Sequence, residues 1–95
     1  MYKSEVLFLE RVDPFCRVEE LDDATLDRLL ARARTLLRRN VGAGPRRTRF
    51  AEGPRLWVYE RSGQPCLVCG ETVRMRRVGA DGRSTYFCAG CQSVR

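Results

Sequence analysis

The chain has 95 residues, 43% of them hydrophobic, and its 18 basic and 12 acidic side chains leave a formal charge of +6 with no histidine. That length makes one ordinary domain or two very small modules, and a module below about 40 residues usually needs a metal, disulfide or partner to stay folded. No stretch approaches the roughly 18 consecutive apolar residues of a membrane span, and MYKSEVLFLE lacks the basic start, long apolar run and cleavage site of a secretory signal, so a cytoplasmic protein is expected.

In chain order, Val6, Leu7 and Leu9 give residues 4–11 a short helical pattern that Asp13-Pro14 should interrupt. Phe15, Val18 and Leu21 then read as apolar anchors among turns. Residues 22–39 carry Leu26, Leu29, Leu30, Ala33, Leu36 and Leu37 at helical spacing, with Arg28, Arg32, Arg34 and Arg38 outside the stripe. This predicts a long amphipathic helix. Asp22 or Asp23 can cap it, Arg38 and Arg39 suit its dipole, and Asn40 with Gly42 can end it. Residues 42–55, GAGPRRTRFAEGPR, show no periodicity and predict a linker. Residues 56–59, 72–78 and 84–87 have strand character, and the GADG at 79–82 supplies a turn. The fold class is a small α+β chain: short helix, turns and long amphipathic helix in residues 1–41, linker in 42–55, and, since Cys pairs at 66 and 69 and at 88 and 91 flank the hairpin, a zinc-ribbon β-hairpin finger in 56–95.

Charge is divided unevenly along this plan. Residues 1–44 hold eight basic and eight acidic groups, whereas residues 45–95 hold ten Arg against Glu52, Glu60, Glu71 and Asp81. A concentrated positive field draws polyanions, and Arg favours planar, bidentate phosphate contacts. A solvated, solubilising surface is the alternative at this stage.

Cys66-Leu67-Val68-Cys69 and Cys88-Ala89-Gly90-Cys91 are two C-x2-C pairs with 18 residues between them, the spacing of a zinc ribbon. Each pair can form a knuckle that offers two sulfurs, and a hairpin brings the knuckles together around one tetrahedral Zn2+. Gly70 and Gly90 are expected to supply backbone freedom. Four thiolates leave no open position, so the zinc is structural and no metal chemistry is expected. Disulfides and an iron-sulfur cluster are the competing readings of the same four residues. Cys16 stands apart and reads as a small packed hydrophobe, since no His is present to activate it.

These residues carry a family resemblance. LWVYERSGQPCLVCGETVRMRRVGADGRSTYFCAGCQ resembles the C-terminal zinc finger of the formamidopyrimidine-DNA glycosylase and endonuclease VIII family, and YKSEVLFLERVDPF with the capped helix resembles the second part of its helix-two-turn-helix domain. The finger of isoleucyl-tRNA synthetase shares the Cys pattern, but YKSEVLF argues against it. The resemblance implies a base-excision-repair DNA glycosylase and AP lyase, with double-stranded, lesion-containing DNA as partner. It places the family's Gly-Arg-Ser-Thr phosphate contact on Gly82, Arg83, Ser84 and Thr85, with Arg83 foremost, and a phosphate-binding hydroxyl on Tyr59. The family usually has Gly where this chain has Glu60. Relatives attack the sugar with an N-terminal Pro followed by Glu, and Met1-Tyr2 supplies neither group, so no catalytic residue is expected here and the chain alone is expected to be inactive. Met1 is read as an internal start within a longer ancestral gene. The alternatives are a stand-alone zinc-ribbon module that binds nucleic acid or protein, and a small lyase using the Met1 amino group or Lys3.

Overall fold

Helix α1 (Tyr2–Leu9) turns Ser4, Glu5, Val6 and Phe8 inward in the computed structural model, which describes residues 1–42, 44–80 and 82–93. It begins earlier than the sequence pattern suggests and stops at Glu10, because Arg11 adopts a left-handed backbone, φ 57°, that reverses the chain before Asp13-Pro14. A 3-10 turn, Val18–Glu20, leads into helix α2 (Asp23–Arg39).

The ends of α2 follow the cap chemistry in its sequence. Asp22 Oδ1 accepts the Thr25 N–H at 2.7 Å, and the Thr25 side chain, followed by this N–H, draws the carboxyl of Asp22 below the usual range. At the other end Asn40 does more than stop the helix. Its side-chain nitrogen donates to the carbonyls of Leu36 and Arg47, and its oxygen accepts the Arg47 N–H, all at 2.7 Å. Residues 42–55, expected to be a linker, are thereby tied at residue 47 to the helix they follow. Helices α1 and α2 are joined by Glu10, which receives Arg32 at 2.8 Å and Arg28 at 3.5 Å. Both arginines are exposed, so each pair contributes about 0–1 kcal/mol. Along α2 only Leu36 is buried, while Leu30 and Leu37 remain exposed.

Strands β1 (Arg74–Val78) and β2 (Arg83–Phe87) form an antiparallel ribbon in which Arg74 faces Phe87 and Val78 faces Arg83. The Gly82 N–H to Gly79 carbonyl bond, 3.2 Å, closes the ribbon's end; Asp81, within the GADG turn, lies outside the described residues. Thr72 joins an isolated bridge with Pro65 ahead of β1. Residues 56–59, expected as a strand, are bends and turns. The reason is a competing acceptor: the N–H groups of Trp57, Val58 and Tyr59 all donate to the Glu5 carboxylate, at 2.7, 2.8 and 3.1 Å, and none is left for a ladder there.

A two-stranded ribbon is marginal alone in water. Here it shares a core with the first helix: Phe8, Val58, Cys66, Val73 and Cys88 form one buried cluster, with Leu9, Trp57, Tyr86 and Cys91 against it. Phe8 stacks on Trp57 at 5.7 Å, and Phe15 meets Phe87 edge-on at 5.1 Å. Polar links close the same seam. Tyr86 N–H donates to Ser4 Oγ at 3.1 Å, and the buried Gln92 donates to the Val12 carbonyl at 3.0 Å.

Candidate metal centre and nucleic-acid interface

The sulfurs of Cys66, Cys69, Cys88 and Cys91 all lie within 4.8 Å of one another. Cys66 and Cys91 are 3.8 Å apart and Cys69 and Cys88 3.3 Å, far beyond the roughly 2.05 Å of a disulfide. Zn–S bonds of about 2.3 Å in a tetrahedron put sulfurs roughly 3.8 Å apart, so the cluster is sized for one such ion. Local folding supplies this geometry. After the first pair Gly70, φ 83°, takes a left-handed turn, and its N–H returns to the Cys66 carbonyl at 3.0 Å. The second pair is wound into a short helix α3 (Ala89–Gln92) with Cys88 as its cap. Gly90 is helical, and what the site uses there is the missing side chain: the Glu71 carboxylate closes to 2.9 Å of where its Cβ would stand.

The electrostatics of the four thiols favour a cation. Burial works to raise the Cys66 thiol, but the N–H groups of Cys69 and Val68 and the thiols of Cys88 and Cys91 outweigh it and bring it down to about 7. Burial pushes the thiols of Cys88 and Cys91 up, and the neighbouring sulfurs add to the rise. One thiolate forms readily and the next are opposed, which is the situation a divalent ion resolves. N–H groups of Val68 and Cys91 point at Cys66 and Cys88 sulfurs at 3.4 and 3.5 Å, orienting them. The cluster can hold one metal ion, and an all-thiolate tetrahedral set of this kind suits one structural zinc. Cys16 is half-buried in the turn region, and burial, with Asp13 and Glu20 nearby, raises its thiol.

The hairpin beyond this centre is cationic. Arg83 is exposed at the start of β2, and the half-buried Ser84 faces the exposed Arg77 across the ribbon. Neither strand carries a carboxylate. Thr85, expected at the phosphate contact, is only 2% exposed, with its side chain packed inward on the same face of β2 as Phe87. Tyr59 is half-buried, meets Tyr86 edge-on at 5.1 Å, and owes its backbone position to Glu5. Glu60 beside it has φ 60°, the left-handed conformation that favours glycine.

Two residues that organise the site escaped the sequence reading. Glu5 is fully buried and also accepts the Thr48 hydroxyl. Its signal was an acidic residue between the inward-facing Ser4 and Val6. Gln92, 1% exposed, accepts the Cys88 N–H at 2.9 Å and so anchors the second knuckle; nothing in its local pattern announces this.

Residues 63–94 match the family of the zinc finger found in FPG and IleRS. Over 96 residues, 98% of the chain, the sequence is 43% identical to a probable endonuclease 8 of Streptomyces coelicolor, of which it covers 34%. Among solved structures, MutM (Fpg) of Thermus thermophilus superposes over 99% of the chain and 39% of its own length, with a TM-score of 0.79 and 33% identity. Lactococcus lactis Fpg bound to abasic-site DNA superposes over 96% of the chain and 35% of its own length, with a TM-score of 0.75 and 28% identity. The chain spans about a third of the length of these relatives. The matches take in α1 and α2 as well as the finger, which separates the chain from proteins that share the finger alone.

Proposed function

We propose that this chain, which matches about a third of the length of formamidopyrimidine-DNA glycosylases and endonuclease 8, grips the phosphates of double-stranded DNA as the C-terminal, DNA-binding part of a base-excision-repair glycosylase acting inside the cell. Cys66, Cys69, Cys88 and Cys91 hold one structural zinc, which supplies a rigid crosslink and no reaction chemistry. In the finer reading of the fold, residues 1–41 belong to a helix-two-turn-helix domain whose amphipathic α2 packs on the rest of such a protein, residues 42–55 connect it, and residues 56–95 are the finger.

The observation that carries this reading is the exposed end of the ribbon where Arg83 and Arg77 stand, fixed at its other end to the four-sulfur cluster. A guanidinium on a rigid strand can donate several hydrogen bonds to phosphate oxygens without first being ordered. Ser84 beside it and the Tyr59 hydroxyl extend the contact. The lesion-containing DNA bound by the Lactococcus lactis relative is the kind of partner such a surface fits.

The test is binding of the zinc-loaded full chain to labelled abasic and undamaged duplexes across a salt series. Arg83→Ala should weaken both and flatten the salt dependence by about one unit of slope. Equal affinity and slope for the wild type and the variant would remove Arg83 from the interface.

A further inference from the structure

The densest accumulation of positive charge outside the finger is on the connection between α2 and residue 56. From Arg28 through Ala51 the sequence contains no acidic residue and eight arginines. The structure folds part of this run into a closed loop. Thr48 and Arg49 N–H groups both donate to the Arg55 carbonyl, at 3.0 and 2.9 Å, and Arg55 Nη1 donates to the Arg46 carbonyl at 2.9 Å. Asn40 fastens Arg47 to the end of α2, and Glu5 fastens Thr48 to α1. At the loop's turn Phe50 is 39% exposed, and the Arg39 guanidinium lies over its ring at 3.6 Å. Arg46 and Arg55 are exposed.

Arg39, Arg46, Arg47 and Arg55 gather on one small loop that holds a single carboxylate, Glu52, and like charges closer than a Debye length, roughly 8 Å at physiological salt, oppose one another. Arg38 and Arg39 have a local reason to be there, since they oppose the negative end of the α2 dipole. Arg46 and Arg55 lack that reason, although Arg55 also closes the loop through the Arg46 carbonyl. Their position adjoins the proposed DNA contact, because the carboxylate that holds Thr48 also holds Trp57, Val58 and Tyr59. Tyr59 in turn touches Tyr86, three residues or roughly 10 Å along β2 from Arg83. A continuous backbone of phosphates can follow such a path, whereas a small anion cannot.

We infer that this loop is a second phosphate-binding surface, in which Arg46 and Arg55 contact the backbone of the same duplex that the finger engages. The inference rests on the DNA-binding reading above. Its test compares Arg46→Ala, the Arg46→Ala/Arg55→Ala pair and Arg83→Ala in the zinc-loaded full chain, measuring duplex affinity across a salt series with zinc content and melting temperature as folding controls. Arg46→Ala keeps the backbone carbonyl that accepts Arg55, so the loop stays closed. The single variant should flatten the salt slope by about one unit and the pair by about two, and Arg83→Ala should add to either. Unchanged slopes for Arg46→Ala and the pair, with Arg83→Ala still flattening the slope, would overturn the second surface and leave the finger in place. Flattening by the pair with none by Arg83→Ala would support the loop and sink the finger contact instead.

Discussion

The carboxylate of Glu5 accepts the backbone N–H of Val58 at 2.8 Å, and both residues are completely buried. Around that bond the same carboxylate takes the N–H groups of Trp57 and Tyr59 and the hydroxyl of Thr48. A buried charge is tolerated only when its lone pairs are filled by well-placed donors. Here the donors come from the segment that leads to Tyr59, so one side chain of α1 sets the approach to the proposed DNA surface.

Removing that acceptor leaves three backbone N–H groups unpaired, that of Val58 buried and those of Trp57 and Tyr59 partly so. Each costs about 1 to 3 kcal/mol when left unmade, and the breaking of comparable buried charge contacts costs about 3 to 5 kcal/mol. Glu5→Ala should therefore consume much of the stability of a domain this size. Glu5→Gln keeps one oxygen but turns an amide nitrogen toward other donors, so it should fall between Ala and the wild type. Urea denaturation with zinc in excess checks this, and a Glu5→Ala midpoint equal to that of the wild type would rule the role out.

Metal removal should reach beyond the finger. Cys66 and Cys88 belong to the cluster that contains Phe8, and Phe8 stacks on Trp57, the chain's one tryptophan. Structural zinc contributes an apparent 10 to 16 kcal/mol, about as much as a small domain's whole stability. Chelation should therefore shift Trp57 emission to the red, loosen α1 from the ribbon, and be reversed by added Zn2+. Emission that stays constant through complete, verified metal loss would contradict the shared core.

The contrast between what the residues announced and what they hid follows sequence distance. Asp22 caps α2 and Asn40 ends it because partners three to seven positions away decide both, and the two Cys pairs carry their spacing in the chain itself. Residues 56–59 have strand composition, yet their N–H groups are claimed by Glu5, more than fifty positions earlier. Thr85 lies in the motif that suggested a phosphate contact, but alternation along β2 turns it inward beside Phe87. The expectation for Arg83 came from the family motif alone, while the burial of Thr85 two residues on comes from tertiary packing.

Glu60 is the next place where the chain can be improved. A non-glycine residue at φ 60° costs about 1 kcal/mol relative to glycine, and this one also puts a carboxylate beside Tyr59. Glu60→Gly should raise the melting temperature by a few degrees and tighten DNA binding, because it removes backbone strain and a like-charge repulsion toward phosphate together. A lower melting temperature would mean that the added freedom of glycine in the unfolded chain outweighs the strain.

Helix α2 divides its leucines between two fates. Leu36 is 4% exposed, and Leu36→Ala should cost about 2 to 5 kcal/mol. Leu30 and Leu37 are 64% and 52% exposed, so replacing them removes little buried surface and should change stability by no more than about 0.5 kcal/mol. Leu30→Glu also sets a carboxylate four residues ahead of Arg34, a favourable pairing on a helix surface. What the change should alter is self-association, because Leu30 borders a groove lined by Val6, Leu7, Leu26 and Leu29, and apolar surface of this kind drives contact between copies as concentration rises. Sedimentation of the wild type and Leu30→Glu/Leu37→Glu over a concentration series measures it. The variant should stay monomeric at concentrations where the wild type associates, and identical profiles would show that the exposed face of α2 is inert.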